Sequence, residues 1–285
     1  MADSPPGIVT LTTDFGLSGP YVGAMKGAIL SVNPRATIVD ITHEVQPQRI
    51  DEGCFLLGAA WPYFPPGSVH VAVVDPGVGG ERPGLALATP AGFFVGPDNG
   101  VLSAALPDSA RPRGFRGIAK PVRLPQGYVA VAITNPDYIR QPLSATFHGR
   151  DVFAPVAAHL TLGVNIDNYG ERVASVLALP LFRAVRRADG SLAGRVIHVD
   201  RFGNLVTSIR VVDIGGNDVT VEIAGAVLHG LATTYGDGDD LVALIGSDGY
   251  LEVALPHGSA AQLLDADLDA PVTVRPVVVR MKRPQ

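Results

Sequence analysis

Val69-His70-Val71-Ala72-Val73-Val74-Asp75-Pro76-Gly77-Val78-Gly79-Gly80 is the stretch that decides the fold. Its first six residues form a short apolar run, as expected of a strand covered on both faces in the middle of a parallel sheet. The run stops on Asp75 and a glycine-rich turn, and Arg82 follows closely. Outward from here the pattern repeats. Ile8 to Leu11 reads as a buried strand ending in Thr13-Asp14-Phe15-Gly16. Tyr21, Met25, Ala28 and Ile29 have helical spacing, predicting a helix from Tyr21 to Leu30 that Asn33-Pro34 stops. Further strands are predicted at Thr37 to Ile41, Leu85 to Ala88, Phe93 to Val95 and Tyr128 to Ile133. Helices are predicted from Ile50 to Trp61 and from Asp151 to Leu160, where the leading carboxylate suits the helix dipole. Alternating strands and helices predict an α/β N-terminal domain, a mainly parallel sheet flanked by helices, over residues 1–178.

The texture then changes. Leu179-Pro180 and Arg186 to Gly190 read as a linker, placed at residues 179–192. Beyond it, short apolar runs lie between turn residues: Val196 to Val199, Leu205 to Ile209, Val219 to Ile223, Leu241 to Ile245, Tyr250 to Ala254 and Val272 to Val279. They predict a smaller all-β, barrel-like C-terminal domain over residues 193–285.

Composition narrows the function. Of 285 residues, 47% are hydrophobic and 17% charged, and the mean hydropathy is +0.26. No run approaches the roughly 18 apolar residues of a membrane span, so no membrane partner is expected. Met1 to Pro6 lacks the pattern of a signal peptide. Cys54 is the only cysteine, which excludes an intrachain disulfide and suits a reducing cytoplasm; its apolar neighbours favour packing over catalysis. A net charge of −5 speaks against a nucleic-acid partner, and the cluster Arg183, Arg186 and Arg187 is too short for a basic stripe.

The polar residues that follow the strands carry the chemistry, because ligands of open α/β sheets sit beyond the carboxyl ends of strands. Asp14-Phe15-Gly16 spells a kinase tripeptide without the catalytic loop that should precede it. Gly77 to Gly80 lacks the Lys-Ser/Thr ending of a phosphate loop and reads as a strand-exit turn. Asp14 fits either a turn or a carboxylate that accepts hydrogen bonds from vicinal hydroxyls, as toward a ribose. Asp75, Arg82 and His148 combine a proton acceptor, a fixed cation and a group titrating near neutrality, a set able to orient and polarise a water. Asp200, Phe202 and Asn204 suit a hairpin turn, or an aromatic face and polar edge for a base. His43 and His148 with Asp14, Asp75 and Asp151 superficially imitate a dinuclear metal site, but the histidines lack ligand spacing, and no metal is expected.

In order along the chain, Leu11 to Gly16, Asp40 to Val45, Val74 to Gly79, Gly96 to Gly100, Thr146 to Asp151, Asp200 to Asn204 and Ser247 to Glu252 resemble the S-adenosyl-L-methionine (SAM) hydroxide adenosyltransferases, or SAM hydrolases. These are related to the fluorinases and chlorinases. The resemblance implies cofactor-free hydrolysis of SAM to adenosine and L-methionine by in-line attack of activated water at the ribose C5′. It implies a homotrimer, with substrate between the N-terminal domain of one subunit and the C-terminal domain of the next. Asp75, Arg82 and His148 match the set around the attacking water, with the base left open between Asp75 and His148. Asp14 matches the ribose-binding carboxylate and Asp200 the residue holding the methionine amine. Phe202 and Asn204 match residues at the adenine, and Ser247 one at the methionine carboxylate. Where related fluorinases have Tyr, Thr and a halide-binding Ser, this chain has Asp75, Val78 and Gly149. Where they have an arginine after the residue matched by Ser247, it has Asp248. A SAM-dependent halogenase and a non-catalytic adenosine- or SAM-binding module are the alternatives.

Overall fold

The computed structural model describes residues 7–112, 114, 118–180 and 183–276. The start of the chain, positions 181–182 of the expected linker and the end of the last predicted strand lie outside the described residues. Two compact units are present, dividing after Pro180.

In the first unit, β1 (Ile8–Thr13), β2 (Thr37–Thr42), β3 (Val69–Val73), β4 (Gly84–Ala88) and β5 (Phe93–Pro97) are followed by a separate pair-forming strand, β6 (Lys120–Arg123), then β7 (Val129–Ala132) and β8 (Arg172–Val173). The main sheet has the order β2-β1-β3-β5-β4-β7-β8. Alternation along β3 assigns its two faces: Val69, Val71 and Val73 join one apolar core, and Ala72 and Val74 the other. Helix α1 (Tyr21–Val32) and α3 (Ala154–Thr161) contribute Met25, Ile29, Val156 and Leu160 to the first core, while α2 (Ile50–Ala60) contributes Leu57 to the second. Asn33 caps α1, its backbone N–H bonding to the Ile29 carbonyl.

The sheet is mixed rather than mainly parallel. Strand β1 pairs in parallel with β2 and β3, and β3 with β5, whereas the pairings β5–β4, β4–β7 and β7–β8 are antiparallel. Only Thr89 to Gly92 separate β4 from β5, too few residues for the crossover that parallel strands need.

The expected helix from Asp151 begins differently. Gly149–Phe153 is a π-helical turn that leads into α3. Pro155 has no N–H to return to the Asp151 carbonyl, which accepts instead from the Arg140 N–H at 2.7 Å.

A further first-unit strand, β9 (Ser175–Ala178), pairs with β6. The second unit comprises β10 (Val185–Arg186), β11 (Leu192–Val199), β12 (Leu205–Arg210), β13 (Val219–Ile223), β14 (Ala226–His229), β15 (Val242–Ile245), β16 (Tyr250–Ala254), the short helix α4 (Ala260–Leu264) and β17 (Pro271–Pro276). Its antiparallel sheet has the order β14-β13-β17-β11-β12-β16-β15. A bridge from Ala232, just after β14, to Leu244 in β15 brings the ends together, giving a nearly closed barrel. Val196, Leu205, Val221, Leu251 and Val272 fill it. Cys54 is buried in α2, and burial pushes its thiol pKa up, as packing requires. Among the described residues no helix is long and apolar enough to cross a membrane.

Candidate active site

Chain order fixes where a ligand site belongs. From β1 the sheet grows to β2 on one side and β3 on the other, so the order reverses between β1 and β3. Their register pairs Thr13 with Val73, placing the exits that carry Asp14 and Asp75 side by side. A crevice at such a reversal, beyond the carboxyl ends of parallel strands, is the usual binding position in open α/β sheets. A cavity of about 620 Å³ lies there, lined by Asp14, Phe15, Gln48, Asp75, Phe147 and His148, among others.

The glycine-rich turn after Asp75 acts as a spacer. Gly79 has φ +76°, and a Cβ there would stand 2.2 Å from the Ala145 carbonyl oxygen. Only glycine lets the Asp75 turn close against the segment leading to His148. Gly79→Ala is therefore expected to destabilise the protein by about 2 kcal/mol or more, read from urea unfolding, and to lower activity by separating the two segments.

Arg82 joins the three residues assigned to water activation. Its Nε donates to Asp75 Oδ1 at 2.9 Å and its Nη2 donates to Asp75 Oδ2. The same Nη2 is 2.9 Å from His148 Nδ1. Guanidinium has no acceptor, so Nδ1 accepts and the neutral ring carries its proton on Nε2. Burial, then the Arg82 charge, lowers the His148 pKa and favours this neutral form.

Asp14 lies across the same cavity. Its Oδ2 accepts from the Gln48 N–H at 2.9 Å. Burial is the main cause raising its pKa, and the Asp75 charge adds to it. Phe15, Tyr21 and Phe147 form an apolar wall, the Tyr21 and Phe147 ring centroids lying 5.3 Å apart. These rings and Gln48 escape a sequence reading centred on charged residues. Gln48 adopts a positive φ of 66° within Gln46-Pro47-Gln48, a conformation that its residue type does not announce.

The other four candidates belong to the second unit. Asp200, Phe202 and Asn204 share one turn: Asp200 Oδ1 accepts from the Phe202 and Asn204 N–H groups, and Oδ2 from the Asn204 amide. This is the turn arrangement open to these residues, and it presents the Phe202 ring outward, 76% exposed. Ser247 is exposed on the separate turn between β15 and β16. Below it Glu252, nearly buried, accepts from the Tyr235 hydroxyl at 2.7 Å; its pKa is raised chiefly by burial, with Asp200 and Asp248 adding.

The residues of the superficial metal set have other partners. His43 faces Thr13 and Asp40, and Asp151 pairs with Arg150. Among the described residues no group of three or more His, Cys, Asp or Glu is arranged to hold a metal ion.

Residues 9–170 match the SAM hydroxide adenosyltransferase N-terminal domain, and residues 194–273 the C-terminal domain of the same family. A protein of Salinispora tropica named (R)-S-adenosyl-L-methionine hydrolase is 38% identical, covering 92% of this chain and 95% of its own. One of the same name from Methanocaldococcus jannaschii is 35% identical over 94% and 95%. A fluorinase of Nocardia brasiliensis is more distant, 26% identical over 94% and 96%. The crystal structure of an uncharacterized conserved protein from Thermotoga maritima is similar at a TM-score of 0.79, with 34% identity over 94% of this chain and 99% of that one.

Proposed function

The chain belongs to the SAM hydroxide adenosyltransferase family, and from that membership we propose the reaction it performs and the residues that perform it. It is an enzyme that hydrolyses S-adenosyl-L-methionine to adenosine and L-methionine. The observation that carries the mechanism is the Arg82 bridge between Asp75 and His148 at the cavity. Water attacks the ribose C5′ in line with the departing sulfur. The C–S bond breaks with its electron pair going to sulfur, so the sulfonium charge is neutralised, and the water proton goes to Asp75.

Geometry favours Asp75 over His148 as base. The His148 Nδ1 lone pair is committed to Arg82, so the ring meets the water as an Nε2–H donor. Each Asp75 oxygen keeps a lone pair after accepting from Arg82. Asp14 takes the ribose hydroxyls. Asp200 takes the methionine amine, Phe202 and Asn204 the adenine, and Ser247 the methionine carboxylate. Positioning of this kind is worth up to about 7–11 kcal/mol in well-aligned systems, and the sulfonium leaves without further activation, so neither metal nor cofactor enters the proposal. A homotrimer whose sites draw on two copies, a cytoplasmic location suited to the lone Cys54, and the absence of nucleic-acid and membrane partners complete it.

Halide is the poorer nucleophile for this cavity. It would meet the Asp75 carboxylate, and like charges repel strongly where water is scarce. At Gly149, where related fluorinases carry serine, a Cβ would lie 3.2 Å from Met25 Sδ and 3.3 Å from the Phe15 ring. Incubation with SAM and excess chloride, followed by chromatography, is expected to yield adenosine and methionine, unchanged by a chelator. A halogenated adenosine would contradict the choice of nucleophile, and loss of activity to the chelator would contradict the metal-free mechanism.

The rate should also show the His148 ionisation. Its lowered pKa keeps the ring neutral below the ordinary value of 6.5. Turnover is therefore expected to persist as pH falls through 6.5 and to decline only at lower pH, as Nδ1 gains a proton that opposes Arg82. A decline centred above 6.5 would count against this tautomer.

A further inference from the structure

Beneath the Asp14 turn lies a buried polar chain that the proposed reaction does not use. Thr13, the last residue of β1, is fully buried, and His43 is 3% exposed. The Phe15 N–H donates to Thr13 Oγ1 at 3.3 Å, and Thr13 Oγ1 stands 2.8 Å from His43 Nδ1. Thr13 Oγ1 thus bonds both the Phe15 N–H and the ring at Nδ1, leaving Nε2 to face Asp40. That nitrogen is 3.1 Å from Asp40 Oδ1, and Lys26 Nζ donates to Asp40 Oδ2 at 2.6 Å. Lys26, Asp40, His43 and Thr13 thus link the surface of α1 to the interior of the turn bearing Asp14.

Backbone bonds reinforce the link. The Gly16 N–H donates to the His43 carbonyl at 2.8 Å, and the Val45 N–H to the Thr13 carbonyl at 3.3 Å. The segment that begins at His43 continues to Gln48, whose N–H holds Asp14 Oδ2. Hydroxyl, imidazole and carboxylate here have the order of a nucleophilic triad, but Thr13 has no access to solvent and does not line the cavity. The arrangement is a brace: the Thr13–His43 hydrogen bond and the two backbone bonds form together only when the two segments are in register.

We propose that His43 is a positioning residue that, through Thr13 on one side and Gln48 on the other, orients the Asp14 carboxylate toward the ribose hydroxyls and so sets discrimination between ribose and deoxyribose. This rests on the assignment of Asp14 to the ribose. A hydrogen bond from a hydroxyl to a carboxylate at a fixed distance depends on that orientation, whereas contacts of the adenine do not.

The test compares the affinities of the full chain for adenosine and 2′-deoxyadenosine by calorimetry, together with kcat and KM for SAM. Wild type is expected to favour adenosine by about tenfold or more, the size of a hydrogen bond to a charged group. Asp14→Ala should abolish the preference. His43→Leu should reduce it to within about threefold and raise KM more than it lowers kcat, whereas His43→Gln, which restores one polar contact, should recover part of it. A preference retained in His43→Leu but lost in Asp14→Ala overturns the inference and leaves the ribose assignment standing. A preference retained in Asp14→Ala overturns the assignment itself. If His43→Leu does not fold, Asp40→Asn at the more exposed end of the chain replaces it: a reduced preference supports the inference, and an unchanged one overturns it.

Discussion

Asp75→Asn is expected to lower the turnover of SAM by roughly 10²–10⁴-fold, the usual contribution of a positioned base. The amide matches the carboxylate in size, and its oxygen still accepts from Arg82, so the loop keeps its place. What it loses is the proton-accepting role that the proposal gives Asp75. With the nucleoside assigned by the proposal to Asp14, Phe202 and Asn204 rather than to Asp75, the dissociation constant for adenosine should stay within about threefold of wild type, the pattern of an interaction made in the transition state alone. Single-turnover rates and equilibrium binding of adenosine separate the two. An equal loss of rate and affinity would place Asp75 in binding rather than in chemistry.

Arg82→Met has a second large effect, on stability and activity together. Arg82 touches both Asp75 and His148, and both members of the Arg82–Asp75 pair are largely buried. Removing the guanidinium leaves a buried carboxylate without its counterion, a change that costs about 3–5 kcal/mol in comparable buried pairs. Turnover should fall with it, since His148 loses the contact that holds its tautomer. Arg82→Lys is not a conservative replacement, because one ammonium cannot reproduce the fork that serves Asp75 through two nitrogens. It should fold and still lose most activity. Urea unfolding and initial rates check both variants. Near-wild-type stability and rate in Arg82→Met would remove the bridge from the account.

The parts of the fold legible in the sequence are those with a local signature. The apolar run of β3 and the polar residues after β1 and β3 announced a sheet with polar strand ends, where the structure has a cavity. The antiparallel half was hidden behind the same apolar texture, although the brevity of Thr89 to Gly92 carried the information, since so short a link makes a hairpin. The π-helical turn at Gly149–Phe153 depends on the Arg140 N–H reaching the Asp151 carbonyl across the loop, a contact no periodicity reports. Asp75, Arg82 and His148 could be named individually because their side-chain chemistry is distinctive. Their convergence, and the commitment of Nδ1 that separates base from donor, exist only once Gly79 brings the two segments together. Gln48 and the Phe15, Tyr21 and Phe147 wall escaped notice because glutamine and aromatic rings are common in ordinary packing. Phe202, read from the sequence as part of a turn or as an aromatic face for a base, stands exposed on a turn.

The most direct measurement is oxygen transfer in ¹⁸O-labelled water. SAM turned over by the enzyme in that solvent should give adenosine carrying the label at its 5′ oxygen and methionine carrying none. Adenosine without label, or a nucleoside bearing another group at C5′, would contradict attack by water at that carbon and with it the roles assigned to Asp75, Arg82 and His148.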